Sequence, residues 1–173
     1  MDINTQLYYA ACCGHLKVAK LLLEKGANID AMAKNGWTPL HRACYGGHFE
    51  VAKLLLEKGA KIDAVDKGDR TPLHWACSRG HLEVAKLLLE KGADINAVTK
   101  DDWTPLHYAC YDGHYKVAKW LLKKGAKIDA KDSDGATPWN LAFKRGFADK
   151  FSELKRKSIY FKVGSFCQTT QNL

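Results

Sequence analysis

Proline is scarce in this chain, with four residues in 173, and the fourteen glycines are spaced rather than clustered. Collagen-like and Pro/Gly-rich low-complexity classes are thereby excluded. No apolar run approaches the ~18 residues that a membrane helix needs; the recurring leucine triplets are bounded by lysine and glutamate. Residues 1–16 hold no basic segment followed by an apolar core, so no secretory leader is expected. Cys167 is not fourth from the end, so no prenylation box is expected either. There is no Asn-x-Ser/Thr sequon, no P-loop, no GxGxxG following a strand and no HExxH. Phosphate-loop, dinucleotide and zinc-hydrolase chemistry therefore have no motif to stand on.

What is present is the composition of a folded, water-soluble chain of one ordinary domain: 46% hydrophobic and 27% charged residues. The net charge is +8, unevenly placed. Residues 1–33 sum to zero, 34–66 and 67–99 to +1 each, 100–132 to +2 and 133–173 to +4. Such an excess bears on solubility and attraction to acidic partners rather than on fold. Of the six cysteines, Cys44, Cys77 and Cys110 recur every 33 residues. That spacing marks a repeated core position more than a disulfide framework. Reduced thiols predict an intracellular, cytoplasmic location, or a nuclear or host-cytosol one for a delivered protein.

Three motifs share the 33-residue step. Thr38-Pro39-Leu40-His41 returns at Thr71 and at Thr104, with a worn copy at Thr137-Pro138-Trp139-Asn140 and a degenerate one at Thr5-Gln6-Leu7-Tyr8. Gly-His occurs at Gly14, Gly47, Gly80 and Gly113, then as Gly146-Phe147. Lys-Gly-Ala occurs at Lys25, Lys58, Lys91 and Lys124. Agreement in phase predicts five stacked units, at about 2–33, 34–66, 67–99, 100–132 and 133–157. Together they form a single domain over 1–157, whose first and last units are caps.

Each unit reads as a helix, a turn, a second helix and an extended loop. Thr38 suits an N-cap, Pro39 the first helical position and Gly47 the stop. Val51, Leu54 and Leu55 make one apolar face, which Gly59 terminates. Helices of about ten residues are unstable alone, so stacking must supply the core.

This pattern resembles the ankyrin repeat family. The resemblance implies an all-α solenoid of helix-turn-helix units joined by β-hairpin-like loops. It implies histidines that bond their own capping threonine or the next repeat's backbone, rather than a metal. It also implies a concave face, made of loop tips and first helices, on which protein partners bind. The implied function is a non-catalytic interaction module, an adaptor, scaffold or inhibitor, with no cofactor and no metal.

The chain's own copies separate framework from readout. Units 34–66 and 67–99 agree at 23 of 33 positions, and their second helices match from Glu50 to Gly59. Differences gather on the tips and first helices. The residues taken as partner-binding are Trp37, Arg42, Tyr45, Arg70, Ser78, Arg79, Asp101, Trp103, Tyr111 and Asp112. Trp, Tyr and Arg are frequent interface anchors. Trp37 and Trp103 are expected to be exposed at loop ends; Trp75 and Tyr108 divide evenly between packing and binding.

Gly36 and Gly135 occupy a turn position expected to need positive φ, where Asp69 and Asp102 stand in the middle units. Those two tips are expected to be reshaped, or their aspartates to face a basic partner. Lys17, Lys20, Lys53, Lys86, Lys116 and Lys119 are expected on a solvated convex face. Leu7, Tyr8, Tyr9, Cys12 and Cys13 make the first unit an imperfect cap. The fifth unit's second helix is expected from Ala148 to about Lys157, with Phe151 and Leu154 buried. Residues 158–173 lie outside the period; Ser158 to Val163 is strand-like, and weak or partial order is expected. A monomer is favoured. The alternative function is binding of nucleic acid or another polyanion through the basic surface, which the separation of lysines from aromatics disfavours.

Overall fold

The threonine of each motif turns the chain into a helix, as its chemistry requires. In the computed structural model, which describes residues 1–149 and 151–152, Thr38, Thr71, Thr104 and Thr137 are extended N-caps, each followed by proline. The His41 backbone N–H donates to Thr38 Oγ1 at 3.4 Å, while His41 Nδ1 accepts from the Thr38 N–H at 3.1 Å. This reciprocal box satisfies donors that a helix start otherwise leaves open.

The elements run α1 (Ile3–Cys12), α2 (Leu16–Glu24), α3 (Pro39–Gly46), α4 (Phe49–Glu57), α5 (Pro72–Ser78), α6 (Leu82–Glu90), α7 (Pro105–Tyr111), α8 (Tyr115–Lys123) and α9 (Pro138–Lys144). Residues 148–149 and 151–152 are also helical, and Phe151 is buried as expected. Leu154, the remaining residues to Lys157 over which a helix is expected, and the segment 158–173 lie outside the described residues. No strand is assigned among the described residues.

The connecting loops are nonetheless hairpin-like. Ala33 N–H bonds the Trp37 carbonyl at 2.9 Å, and the same closure recurs at Asp66–Arg70, Thr99–Trp103 and Asp132–Ala136. Neighbouring tips are stitched by Lys67 N–H to Asn35 O at 3.2 Å, Lys100 to Gly68 at 3.2 Å and Ser133 to Asp101 at 3.1 Å.

One continuous core threads the stack. Leu7, Leu40, Leu73 and Leu106 fill one row, and Val51, Val84 and Val117 another, all with at most 1% exposure. First helices pack on first helices, α1 to α9, and second helices on second helices. The first-helix row is packed more closely, because alanine and cysteine (Ala43, Cys44 and their copies) line it. With the hairpin tips, that row is the side which the resemblance implies is concave, the inner face.

Glycine explains the second motif. Gly47 has φ 72°, and a Cβ there would lie 2.5 Å from Nδ1 of His81 in the next unit. The ring of His81 rests on that bare position and donates from Nε2 to the Tyr45 carbonyl at 3.0 Å. His48 and His114 do the same to Cys12 and Ser78, at 2.9 Å each. These histidines thus reach the preceding repeat, which corrects the expectation that they bond the following one or their own cap. Only the Thr-Pro-Leu-His residues reach forward.

Two further expectations change. Asp69 and Asp102 adopt φ 58° and 57°, so the tips keep the turn of Gly36 and Gly135 instead of being reshaped. The short polar side chain tolerates this region, at some strain. At the first unit, Leu7 is buried and Tyr8 and Cys12 are half-buried; only Tyr9 and Cys13 of the suspected set are exposed. The apolar end is formed instead by Leu16, Val18 and Leu21. Val18 is 47% exposed, whereas its copy Val51, covered by a preceding unit, is at 1%. Of the second-helix lysines, Lys17, Lys20, Lys53, Lys116 and Lys119 are exposed as expected, whereas Lys86 is half-buried and pairs with Glu83 at 2.8 Å.

Candidate functional site: the inner face

The site is assembled from α1, α3, α5, α7, α9 and the hairpin tips. Its anchor was not singled out from sequence. Asp66, at the base of a tip, has a side chain with 0% exposure. Its Oδ1 accepts from the backbone N–H of Gly68 at 2.8 Å and of Arg70 at 3.0 Å. Its Oδ2 accepts from Trp37 Nε1 at 3.1 Å, Arg70 Nε at 2.9 Å and Trp75 Nε1 at 3.2 Å. Burial alone would raise this carboxyl's pKa. The two backbone donors, the Arg70 charge and the Trp75 indole outweigh it and hold the group below the usual range.

Trp37 is consequently not an exposed loop residue. It is 7% exposed, with its ring 4.6 Å from Trp75 and 5.3 Å from Tyr45, centroid to centroid. The physical reason is the carboxylate at the base of the next hairpin tip, which takes the indole N–H and leaves the ring packed against Tyr45 and Trp75. Trp103 is half-buried; 29 positions on from it stands Asp132, whose Oδ1 accepts from the backbone N–H groups of Asp134 at 3.1 Å and Ala136 at 2.7 Å. Thr99 Oγ1 accepts only the Trp103 backbone N–H, at 3.1 Å. The Trp103 ring meets Tyr108 at 5.0 Å and Tyr111 at 5.2 Å.

The arginines are layered on these rings. Arg42 donates from Nε to the Tyr8 hydroxyl at 2.6 Å, and its Cζ stands 4.8 Å from the Tyr8 ring and 4.5 Å from that of Trp37. Arg70 lies 4.3 Å over Trp75. Arg79 lies 4.8 Å over Tyr45, and Arg145 lies 4.7 Å over Tyr111. Ser78 Oγ donates to Asp112 Oδ2 at 2.7 Å. Asp101 is exposed on its tip.

The ten residues expected to bind thus share one face, in two kinds. Trp37, Arg42 and Arg70 are largely occupied in holding the face together. Tyr45, Ser78, Arg79, Trp103, Tyr111, Asp101 and Asp112 keep surface toward solvent, with Arg79 and Asp101 the most open. Tyr8, Trp75, Tyr108 and Arg145 complete the row. Arg145 was legible in principle: it follows Tyr111 by the same interval as Arg79 follows Tyr45.

Catalytic groups do not converge here. His41 takes the Thr38 N–H on Nδ1, so its proton sits on Nε2, which donates to the Arg70 carbonyl at 3.1 Å. His74 and His107 repeat this toward Trp103 and Ala136. Burial pushes the His74 pKa down to about 4 and those of His41 and His107 below the ordinary value. Burial likewise raises the thiols of Cys44 and Cys77, and that of Cys110 to about 12. Such thiols are poor nucleophiles and poor ligands. Among the described residues no three His, Cys, Asp or Glu side chains are grouped to hold a metal ion.

A family model described as "Ankyrin repeats (3 copies)" matches residues 2–66 and 61–132. Among curated proteins, the chain is similar to the potassium channel AKT1 of Oryza sativa subsp. indica and of subsp. japonica. Each is 53% identical over 38 residues, covering 22% of this chain and 4% of the relative. The chain therefore spans a small fraction of those relatives, and what is shared amounts to little more than one 33-residue unit.

Proposed function

This chain belongs to the ankyrin repeat family, and from that premise we propose that it is a non-catalytic module that binds a protein partner through its inner face and loop tips. The observation that carries the reading is the continuity of that face. The positions at which the repeats differ form one row, with Arg42 over Tyr8 and Trp37, Arg79 over Tyr45 and Arg145 over Tyr111, and the Ser78–Asp112 hydrogen bond between the last two pairs.

Rigid aromatic and arginine groups lose little freedom when a partner arrives, which favours affinity without a deep pocket. Asp69 and Asp102, held at positive φ on successive tips, add fixed polar points at the rim. Adaptor, scaffold or inhibitor roles all follow from such display, with the cytoplasm as the proposed location and a monomer as the proposed state. The free thiols of Cys12, Cys13, Cys44, Cys77 and Cys110 agree with a reducing compartment. Among the described residues no helix is long and apolar enough to cross a membrane. Binding of a polyanion through the basic surface has less support, because exposed Lys17, Lys20, Lys53, Lys116 and Lys119 lie on the second helices, away from the rings of the first, and only Lys34, Lys67, Lys100 and Lys131 are exposed toward the tips among the described residues.

The test is a nuclease-treated pull-down with wild type, an inner-face variant (Tyr45→Ala, Arg79→Ala, Tyr111→Ala) and an outer-face variant (Lys53→Ala, Lys119→Ala). A protein kept by wild type and the outer variant, and lost with the inner one, is expected. Equal retention by all three would move the site off the inner face.

A further inference from the structure

Two parts of the inner face are the same device used twice. In one, the Trp37 and Tyr45 rings are 5.3 Å apart, and Arg79 of the following unit lies 4.8 Å over Tyr45. In the other, Trp103 and Tyr111 are 5.2 Å apart, and Arg145 of the following unit lies 4.7 Å over Tyr111. The unit between them breaks the pattern. It has Ser78 at the tyrosine position, and the unit after it has Asp112 at the arginine position, the two joined by a 2.7 Å hydrogen bond. Successive units therefore present Arg79, Asp112 and Arg145 at one equivalent site: plus, minus, plus.

Arg79 and Arg145 differ from the other two arginines of the face. Arg70 is committed to the buried Asp66, and Arg42 to the Tyr8 hydroxyl between two rings. Arg79 and Arg145 are exposed, and among the described residues neither has a hydrogen bond or ion pair. A guanidinium over a ring still has N–H donors to offer, and their fork matches a carboxylate. The ring also holds the long side chain in place, so less freedom is lost on binding.

We propose that these twin Trp–Tyr–Arg clusters receive an acidic, extended protein segment, one carboxylate to each arginine, with no acid opposite Asp112. This deepens the protein-recognition reading and rests on it. Neighbouring helices pack 8–10 Å apart, so two repeats separate the arginines by about 16–20 Å. At about 3.3 Å per residue, an extended segment bridges that with acids about five or six positions apart. A nucleic acid fits less well, since its charge recurs at every nucleotide and would bring a phosphate against Asp112.

The test is NMR titration of the full chain, following the Arg Nε–H and Trp indole N–H signals. The probes are three soluble Gly/Ser peptides and poly-uridine. One peptide carries Glu-Glu pairs about six positions apart, one carries the pairs adjacent, and one has Lys for Glu. The spaced peptide is expected to shift the Arg79, Arg145, Trp37 and Trp103 signals and to bind most tightly. Arg79→Gln or Arg145→Gln should weaken it severalfold, and the pair by about tenfold or more, on the scale of lost charge-assisted bonds. Asp112→Asn should erase the preference for spaced over adjacent acids.

Binding that ignores Arg79→Gln/Arg145→Gln overturns the proposal, as does poly-uridine binding more tightly than the spaced peptide through the same arginines. If no acidic peptide binds, yet the pull-down still loses its protein with the inner-face variant, this inference falls and the protein-recognition reading stands.

Discussion

The indole N–H of Trp37 donates to Oδ2 of Asp66 at 3.1 Å, from one hairpin tip to the base of the next. The same oxygen takes Arg70 and Trp75, and its twin Oδ1 takes two backbone N–H groups. A single buried carboxylate thus ties two indoles, a guanidinium and a hairpin tip into one rigid patch.

Asp66→Ala should therefore be strongly destabilising. It would leave the buried donors of Trp37 and Trp75 and the charge of Arg70 without their acceptor, at a cost of about 3–5 kcal/mol. For a chain of this size that lowers the melting temperature by roughly 6–20 °C. Asp66→Asn, which keeps an acceptor oxygen, should lose less. Thermal melts of the two variants check the order.

Much of this architecture could be read from the residues. The 33-residue phase, the Thr-Pro helix starts, the positive-φ glycines and the constant second helices are local signals, and each found its expected place. The burial of Trp37 was not readable. It depends on an acceptor 29 residues away, at the base of the next hairpin tip. The backward reach of His48, His81 and His114 was hidden for a similar reason. A histidine beside a glycine does not announce which neighbour supplies its carbonyl. The twin arginines were half-visible, because Arg79 stood out as a difference between copies and Arg145 sat in a worn unit.

Acid should weaken the fold before it protonates the carboxylates. His74 has a folded-state pKa of about 4 because burial disfavours its cation, and His41 and His107 are lowered for the same reason. In the unfolded chain a histidine takes its proton near pH 6.5. The unfolded state then binds more protons, so stability is full above about pH 6.5 and falls as the pH drops toward about 4. For His74 alone the loss is on the order of 3 kcal/mol. Urea melts between pH 7.5 and 4.5 should show this slope. His74→Asn should flatten it, since Asn140 already accepts the Thr137 N–H at 2.9 Å in the fifth unit.

Thiol reactivity should follow burial. With Cys167 replaced by serine, a thiol-reactive dye should label Cys13 rapidly and the half-buried Cys12 more slowly. Cys44, Cys77 and Cys110 should react only as the chain unfolds, because they are buried and their thiols are held protonated. Rapid labelling of all three in native buffer would mean that the first-helix row is not packed as described.

Two glycine substitutions should separate strain from steric fit. Gly59→Ala places a Cβ at φ 89° with no atom within 4 Å, and should cost about 1–2 kcal/mol for the left-handed backbone alone. Gly47→Ala adds a Cβ 2.5 Å from Nδ1 of His81 and must also displace the ring that bonds the Tyr45 carbonyl. It should be clearly the worse of the two in chemical denaturation.

The most direct test of protein recognition by the inner face is site-specific photo-crosslinking in cell lysate. A benzophenone amino acid would replace Tyr111 on the inner face in one protein and Lys119 on the outer face in another. A discrete protein adduct from position 111 and none from position 119 is the predicted result. An adduct formed from 119 alone, or nucleic acid captured at 111 in place of protein, would contradict it.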